Sequence, residues 1–101
     1  MKIFFSALFL FLLSSSIAQK KQSWVSGILL DESEKTLPNV SISILGKATG
    51  ITTNDSGYFR IKVTAEKAFA LIFSYSGYID VQKNFYLSTN EEEKIILRMQ
   101  R

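Results

Sequence analysis

The chain has 101 residues, enough for one domain and too few for two. With 47% hydrophobic and 13% aromatic residues it has the material for a packed core, so a disordered chain is excluded. The net charge of +3 is spread along the chain, with dense cationic spots only at Lys20-Lys21 and at Arg98 and Arg101, which argues against the concentrated basic face of a nucleic-acid binder. Cysteine and histidine are both absent. Disulfides, thiolate nucleophiles, Ser–His–Asp triads and the common imidazole and thiolate metal sites are therefore excluded within this chain.

Residues 1–18 have the layout of a secretory signal peptide. Lys2 supplies the positive end and Ile3–Leu13 an apolar run broken only by Ser6. Ser16 and Ala18 place small side chains where signal peptidase requires them, so cleavage is expected before Gln19. The apolar run is shorter than the roughly 20 residues that a membrane-spanning helix needs, so a cleavable signal is expected rather than a membrane anchor, with no transmembrane segment in the mature chain. Residues 19–101 are left as one domain.

That remainder reads as strands. Val25, Gly27 and Leu29 follow a two-residue period loosely. Pro38 is expected to open a strand in which Val40, Ile42 and Ile44 alternate with Asn39, Ser41 and Ser43. Gly46 and Gly50 bracket a tight connection or bulge. Asn54-Asp55-Ser56-Gly57 stands between two runs as a hairpin signal, with Asx chemistry opening the turn and Gly57 closing it at positive φ. Phe59, Ile61 and Val63 then alternate with Tyr58, Arg60 and Lys62. Phe69–Tyr75 is apolar on both faces, as for a central strand covered on both sides; a short buried helix is the rival reading, which its seven-residue length, three aromatics and the flanking Gly77 disfavour. Gly77 allows a bend, Ser88–Glu93 forms the last loop, and Ile95, Leu97 and Met99 alternate with Lys94, Ile96 and Arg98 on the wetter face. No segment carries a helical stripe of ten or more residues. The expected fold is all-β: a small antiparallel Greek-key β-sandwich of about seven strands, preceded by a signal peptide.

The order of these signals resembles a known family. Val25-Ser26-Gly27 leads to Asp31, followed by Leu37-Pro38-Asn39-Val40, Ile44-Leu45-Gly46, Gly50, Thr53 to Phe59, and Phe73 to Tyr78. This series is similar to the carboxypeptidase regulatory-like domain, with its transthyretin-like (prealbumin-like) sandwich. The nearest variety precedes TonB-dependent outer-membrane receptors in Bacteroidetes-type bacteria. The resemblance implies a non-enzymatic module of the periplasm or outer membrane whose partner is another envelope protein. Independently of the resemblance, Gly27 and Gly46 are expected to let backbones approach closely. Lys47 stands where the family often has threonine. Such receptors continue into a plug and a barrel, so this chain is either a stand-alone module or the front of a longer protein.

Several residues are weighed as sites. Asn54, Asp55 and Ser56 could offer oxygens to calcium, but they lack the following bidentate glutamate, so a plain turn is expected. Glu91-Glu92-Glu93 are expected to be a solvated acidic loop. Asp31, Glu32, Glu34, Asp55, Glu66 and Asp80 contain no evident catalytic pair. No catalytic, cofactor-binding or metal-binding residue is assigned, and no cofactor is expected. Among Trp24, Tyr58, Tyr75, Tyr78, Phe85 and Tyr86, Tyr58 is the best exposed interaction candidate, outward-facing beside a turn. Two functions compete: docking onto a periplasmic or outer-membrane protein, and binding a glycan as a small secreted adhesive domain.

Overall fold

A computed structural model describes residues 21–101. The expected signal peptide lies outside them. Seven strands are present: β1 (Gln22–Leu30), β2 (Ser41–Ile44), β3 (Lys47–Thr52), β4 (Tyr58–Thr64), β5 (Ala68–Ser74), β6 (Val81–Tyr86) and β7 (Glu92–Arg98). They form a three-stranded sheet in the order β4-β1-β7 and a four-stranded sheet in the order β3-β2-β5-β6. Four of the six connections cross between the sheets, which is the Greek-key character expected. One pairing departs from an antiparallel sandwich. β7 runs parallel to β1, from Trp24 opposite Glu92 to Leu30 opposite Arg98.

The alternating runs bury the residues that the period selects. In β4, Phe59, Ile61 and Val63 are buried while Tyr58, Arg60, Lys62 and Thr64 are exposed. Phe59 meets Phe73 of the opposite sheet edge to face, with centroids 5.6 Å apart. Around this pair lie Val25, Leu29, Ile42, Leu71, Leu87 and Met99, each at most 2% exposed. Burying such a side chain contributes about 1.5–3 kcal/mol, so the inner faces of the two sheets hold the domain together.

Several local expectations are corrected. Asn54–Gly57 does not close a hairpin of paired strands. The Asn54 side-chain oxygen accepts from the backbone N–H groups of Ser56 (2.9 Å) and Tyr58 (3.0 Å), and Gly57 has φ +72°. The turn chemistry is as read, but β3 and β4 diverge into different sheets because each finds its partner elsewhere. The hairpin lies one step earlier, where Leu45-Gly46 joins β2 to β3. The segment between Gly46 and Gly50 is therefore strand rather than loop. Its ladder shifts register between Ile42 and Ile44, and Gly50 bends it at φ +74°.

Gly27 does let backbones approach, since a Cβ there would lie 2.1 Å from the Ile95 carbonyl oxygen. Gly46 does not. Open space surrounds it, and its role is its φ of +86°. Pro38 sits in a turn with Asn39 at φ +63°, and β2 begins only at Ser41. β5 is central in its sheet, but only one face meets the core. On the other face Ala68 is exposed, Ile72 and Ser74 are half-buried and only the small Ala70 is buried, because no second layer among the described residues covers that side. The last loop ends at Glu91, since Glu92 already pairs in β7.

Thr53, buried at 2% exposure, ties the Pro38 turn to the end of β3. Its hydroxyl donates to the Leu37 carbonyl (2.6 Å) and accepts from the Val40 N–H (3.0 Å). Its backbone N–H donates to the Val40 carbonyl (3.1 Å), and its carbonyl accepts from the Asn39 N–H (3.0 Å).

Candidate functional site

The outward face of the three-stranded sheet gathers the residues most suited to contact another molecule. Alternation along each strand sends Tyr58, Arg60 and Lys62 of β4, Trp24, Ser26 and Ile28 of β1, and Glu92, Lys94 and Ile96 of β7 to this side. Register then sets them in rows. Ile28 stands opposite Tyr58 on one flank and Ile96 on the other, so the three form an apolar row across all three strands. Tyr58 is 41% exposed and Ile96 75%. The row borders a shallow depression of about 290 Å³, whose other walls include Gly27, Ile95 and Lys94. Gly27 lets β1 and β7 lie this close, because a Cβ there would collide with the Ile95 backbone.

Beside the apolar row lies a polar one. Arg60 pairs with Glu92 at 3.0 Å, and Glu92 also accepts from the Ser26 hydroxyl at 2.8 Å. The Arg60 bond, then the Ser26 bond, hold the Glu92 carboxyl below the usual carboxylate range, and Glu92 in turn raises Arg60. The Arg60 guanidinium lies 4.9 Å from the Trp24 ring centroid. One face of Trp24 is thus already occupied by a cation. The ladder keeps Ser26 buried and fixes β4, β1 and β7 to one another on the solvent side.

The remaining candidates are dispersed. Tyr86, at 64%, is more exposed than Tyr58, but it faces only Ala68 across its ladder. Phe85 is buried and stacks on Phe69 at 5.3 Å. Tyr75 and Tyr78 pack together, and Tyr78 accepts from Arg101 at 3.1 Å. The acidic residues serve local contacts. Asp31 accepts from the backbone of Ser33 and Lys35, Glu34 pairs with Arg98, and Asp80 accepts from Ser74. Glu66 accepts from Thr89 and Lys21, and both bonds hold its carboxyl low. Glu91 to Glu93 point apart: Glu91 accepts from the Ser88 N–H, Glu92 joins Arg60, and Glu93 faces inward. Among the described residues no group of three or more Asp or Glu could hold a metal ion, and no helix is long and apolar enough to cross a membrane.

Sequence reasoning treated the lysines as scattered. Folding gathers Lys21, Lys47, Lys62 and Lys67 at one end of the sandwich, around two adjoining depressions that share Ile44, Lys47, Val63 and Thr64. Lys21 reaches Glu66 at 3.3 Å, whereas the other three have no ion-pair partner among the described residues.

Comparison with solved structures places the fold. The chain superimposes on the Bacillus anthracis TIE protein with TM-score 0.64 at 15% identity, covering 80% of this chain and 17% of that one. It superimposes on the major pilin subunit of Bacillus cereus with TM-score 0.64 at 14% identity, covering 78% and 29%. A 3-chlorocatechol 1,2-dioxygenase from Rhodococcus opacus matches with TM-score 0.62 at 9% identity, covering 84% and 62%. The chain thus spans under a third of the first two proteins. At these identities the likeness is one of fold, shared by filament subunits and enzymes. No curated protein matches the chain by sequence. A family model does match it over residues 25–101, and on that match the chain belongs to the CarboxypepD_reg-like domain family.

Proposed function

We propose that this domain is a non-enzymatic interaction module of the bacterial cell envelope, exported by residues 1–18, which docks onto a protein partner through the outward face of its three-stranded sheet. The observation that carries this is the exposed Tyr58–Ile28–Ile96 row, held flat beside the braced Arg60–Glu92 pair. An exposed apolar strip rimmed by charge suits a protein surface, where aromatic anchors fill the centre and polar groups the rim. Family membership is consistent with a partner in the outer membrane, either a TonB-dependent receptor or the rest of a longer receptor chain. Glycan binding is less favoured, because Arg60 already covers one face of Trp24 and a single tyrosine makes a small stacking platform.

The test is affinity capture of the full-length protein from cross-linked cells of its host, with fractionation of the envelope. Wild type should retain an envelope protein that Ile96→Asp and Tyr58→Ala lose, while Tyr86→Ala, on the other sheet, keeps it. Capture unaffected by changes in the row would refute the docking face. Retention on a glycan array that depends on Tyr58 would replace a protein partner with a sugar.

A further inference from the structure

The outer edge of β7 is unpaired among the described strands, and β7 carries acidic residues at one end and a basic one at the other. Met99 donates its N–H to the Leu30 carbonyl and Trp24 donates to the Glu91 carbonyl, so the odd-numbered residues of this segment turn their backbone groups toward β1. In a parallel ladder the even-numbered residues then turn theirs away. Glu92, Lys94, Ile96 and Arg98 thus present N–H and C=O groups to the outside. No described strand pairs with this edge. The open stretch stops at Gln100, whose carbonyl accepts from the Ile79 N–H.

We propose that the occupant is a second copy of this chain, whose β7 pairs antiparallel with this one about a two-fold axis at Ile95. The sequence Glu92-Glu93-Lys94-Ile95-Ile96-Leu97-Arg98 carries opposite charges at its two ends. Antiparallel self-pairing centred on Ile95 sets Glu92 opposite Arg98 twice and Lys94 opposite Ile96 twice. The lysine stem can then lie on the isoleucine while its ammonium stays in water. On the inner face Ile95 meets its own copy and Leu97 meets Glu93. The residues paired on the solvent face are also those with outward backbone groups, so the register makes hydrogen bonds throughout. Moving the centre one residue toward Lys94 sets Lys94 against itself. Moving it one residue toward Ile96 sets Lys94 against Arg98. Like charges directly opposite are unfavourable, so Lys94 rejects both neighbouring registers. The contact is isologous and closes after two copies, giving one continuous six-stranded sheet rather than a fibre. Tyr58 and Ile28 stay uncovered in each copy while the lysine stem of the second copy borders Ile96, and this inference does not rest on the docking partner proposed above.

The absence of cysteine gives a direct test with the full-length protein. In an antiparallel sheet, Ile95 and its copy form a non-hydrogen-bonded pair with Cα atoms about 4.5 Å apart, within reach of a disulfide. Ile95→Cys should therefore form a covalent dimer under mild oxidation, whereas Ile96→Cys should not, being offset from its own copy. In sedimentation, the wild type should show a concentration-dependent dimer. Arg98→Glu alone and Glu92→Lys alone should each weaken it at least tenfold, and mixing the two variants should restore a heterodimer. A wild-type monomer at every concentration would overturn the proposal. Preferential cross-linking of Ile96→Cys, or a dimer indifferent to both charge reversals, would overturn the register. Should Ile95→Cys fail to fold, the mixing experiment decides: each charge variant loses a pair within its own copy, Arg60–Glu92 or Glu34–Arg98, and recovers neither on mixing, so a restored heterodimer reads the contact between copies alone.

Discussion

Replacing Thr53 with valine removes one oxygen and keeps the shape, and the structure gives the size of the consequence. The hydroxyl is the hydrogen-bond partner of two groups in the 37–40 segment, the Leu37 carbonyl and the Val40 N–H, and Val40 is fully buried. Leaving a buried polar group unpaired costs about 1–3 kcal/mol, with carbonyls at the lower end, so Thr53→Val should lose ~2–4 kcal/mol. For a domain of this size each kcal/mol moves the melting temperature by ~4–8 °C, so a fall of roughly 10–30 °C is expected. Thr53→Ser keeps the hydroxyl and drops one methyl, for which about 1 kcal/mol is expected. Urea unfolding followed by Trp24 fluorescence gives both numbers. If Thr53→Val unfolded within ~0.5 kcal/mol of wild type, or if serine cost as much as valine, the clamp would not be the hydrogen-bonded hydroxyl.

Two glycines with similar φ should respond differently to alanine. Gly46→Ala meets only the left-handed backbone cost of ~1–2 kcal/mol, because nothing lies within 4 Å. Gly57→Ala adds a contact of 2.8 Å with the Leu29 carbonyl, so chemical denaturation should find it worse by ~1–3 kcal/mol, and equal losses would discount that contact. Glu92 sets a pH dependence. Its carboxyl titrates below its ordinary range in the folded state, so its contribution is complete above about pH 4.3 and fades as the pH falls through the lower folded value. The difference in melting temperature between wild type and Glu92→Gln should hold steady from pH 7 to pH 5 and shrink toward pH 3. A constant gap would remove Glu92 as its source.

Much of the fold was legible wherever a strand sets one face on the core and the other in water. β4 alternates cleanly since one face meets the core and the other water, and the same period marks β2 and β7. β3 and β6 were not legible as strands. Each sets few side chains into the core, which leaves little apolar pattern: Lys47–Thr52 has no fully buried residue and Val81–Tyr86 has only Phe85. The turn at Asn54–Gly57 was read correctly as chemistry and wrongly as topology. An Asx turn reverses the chain whether its flanking strands pair with each other or part company, and that choice is made by distant residues. The site followed the same rule. Tyr58 and Ile96 fall on the wetter sides of their own strands, which local alternation reports. That Ile28 joins them in one row depends on the parallel pairing of β1 with β7, segments from opposite ends of the domain.

That pairing also has a consequence for how the molecule is made. β1 is among the first described segments to leave the ribosome and β7 the last, yet β1 sits between β4 and β7. Until the final strand arrives, one flank of Trp24–Leu30 is an open edge, and Met99 is missing from the interior. Folding of this domain therefore waits for β7 and pairs its most distant strands late, which places it on the slow, millisecond-to-second side of small domains.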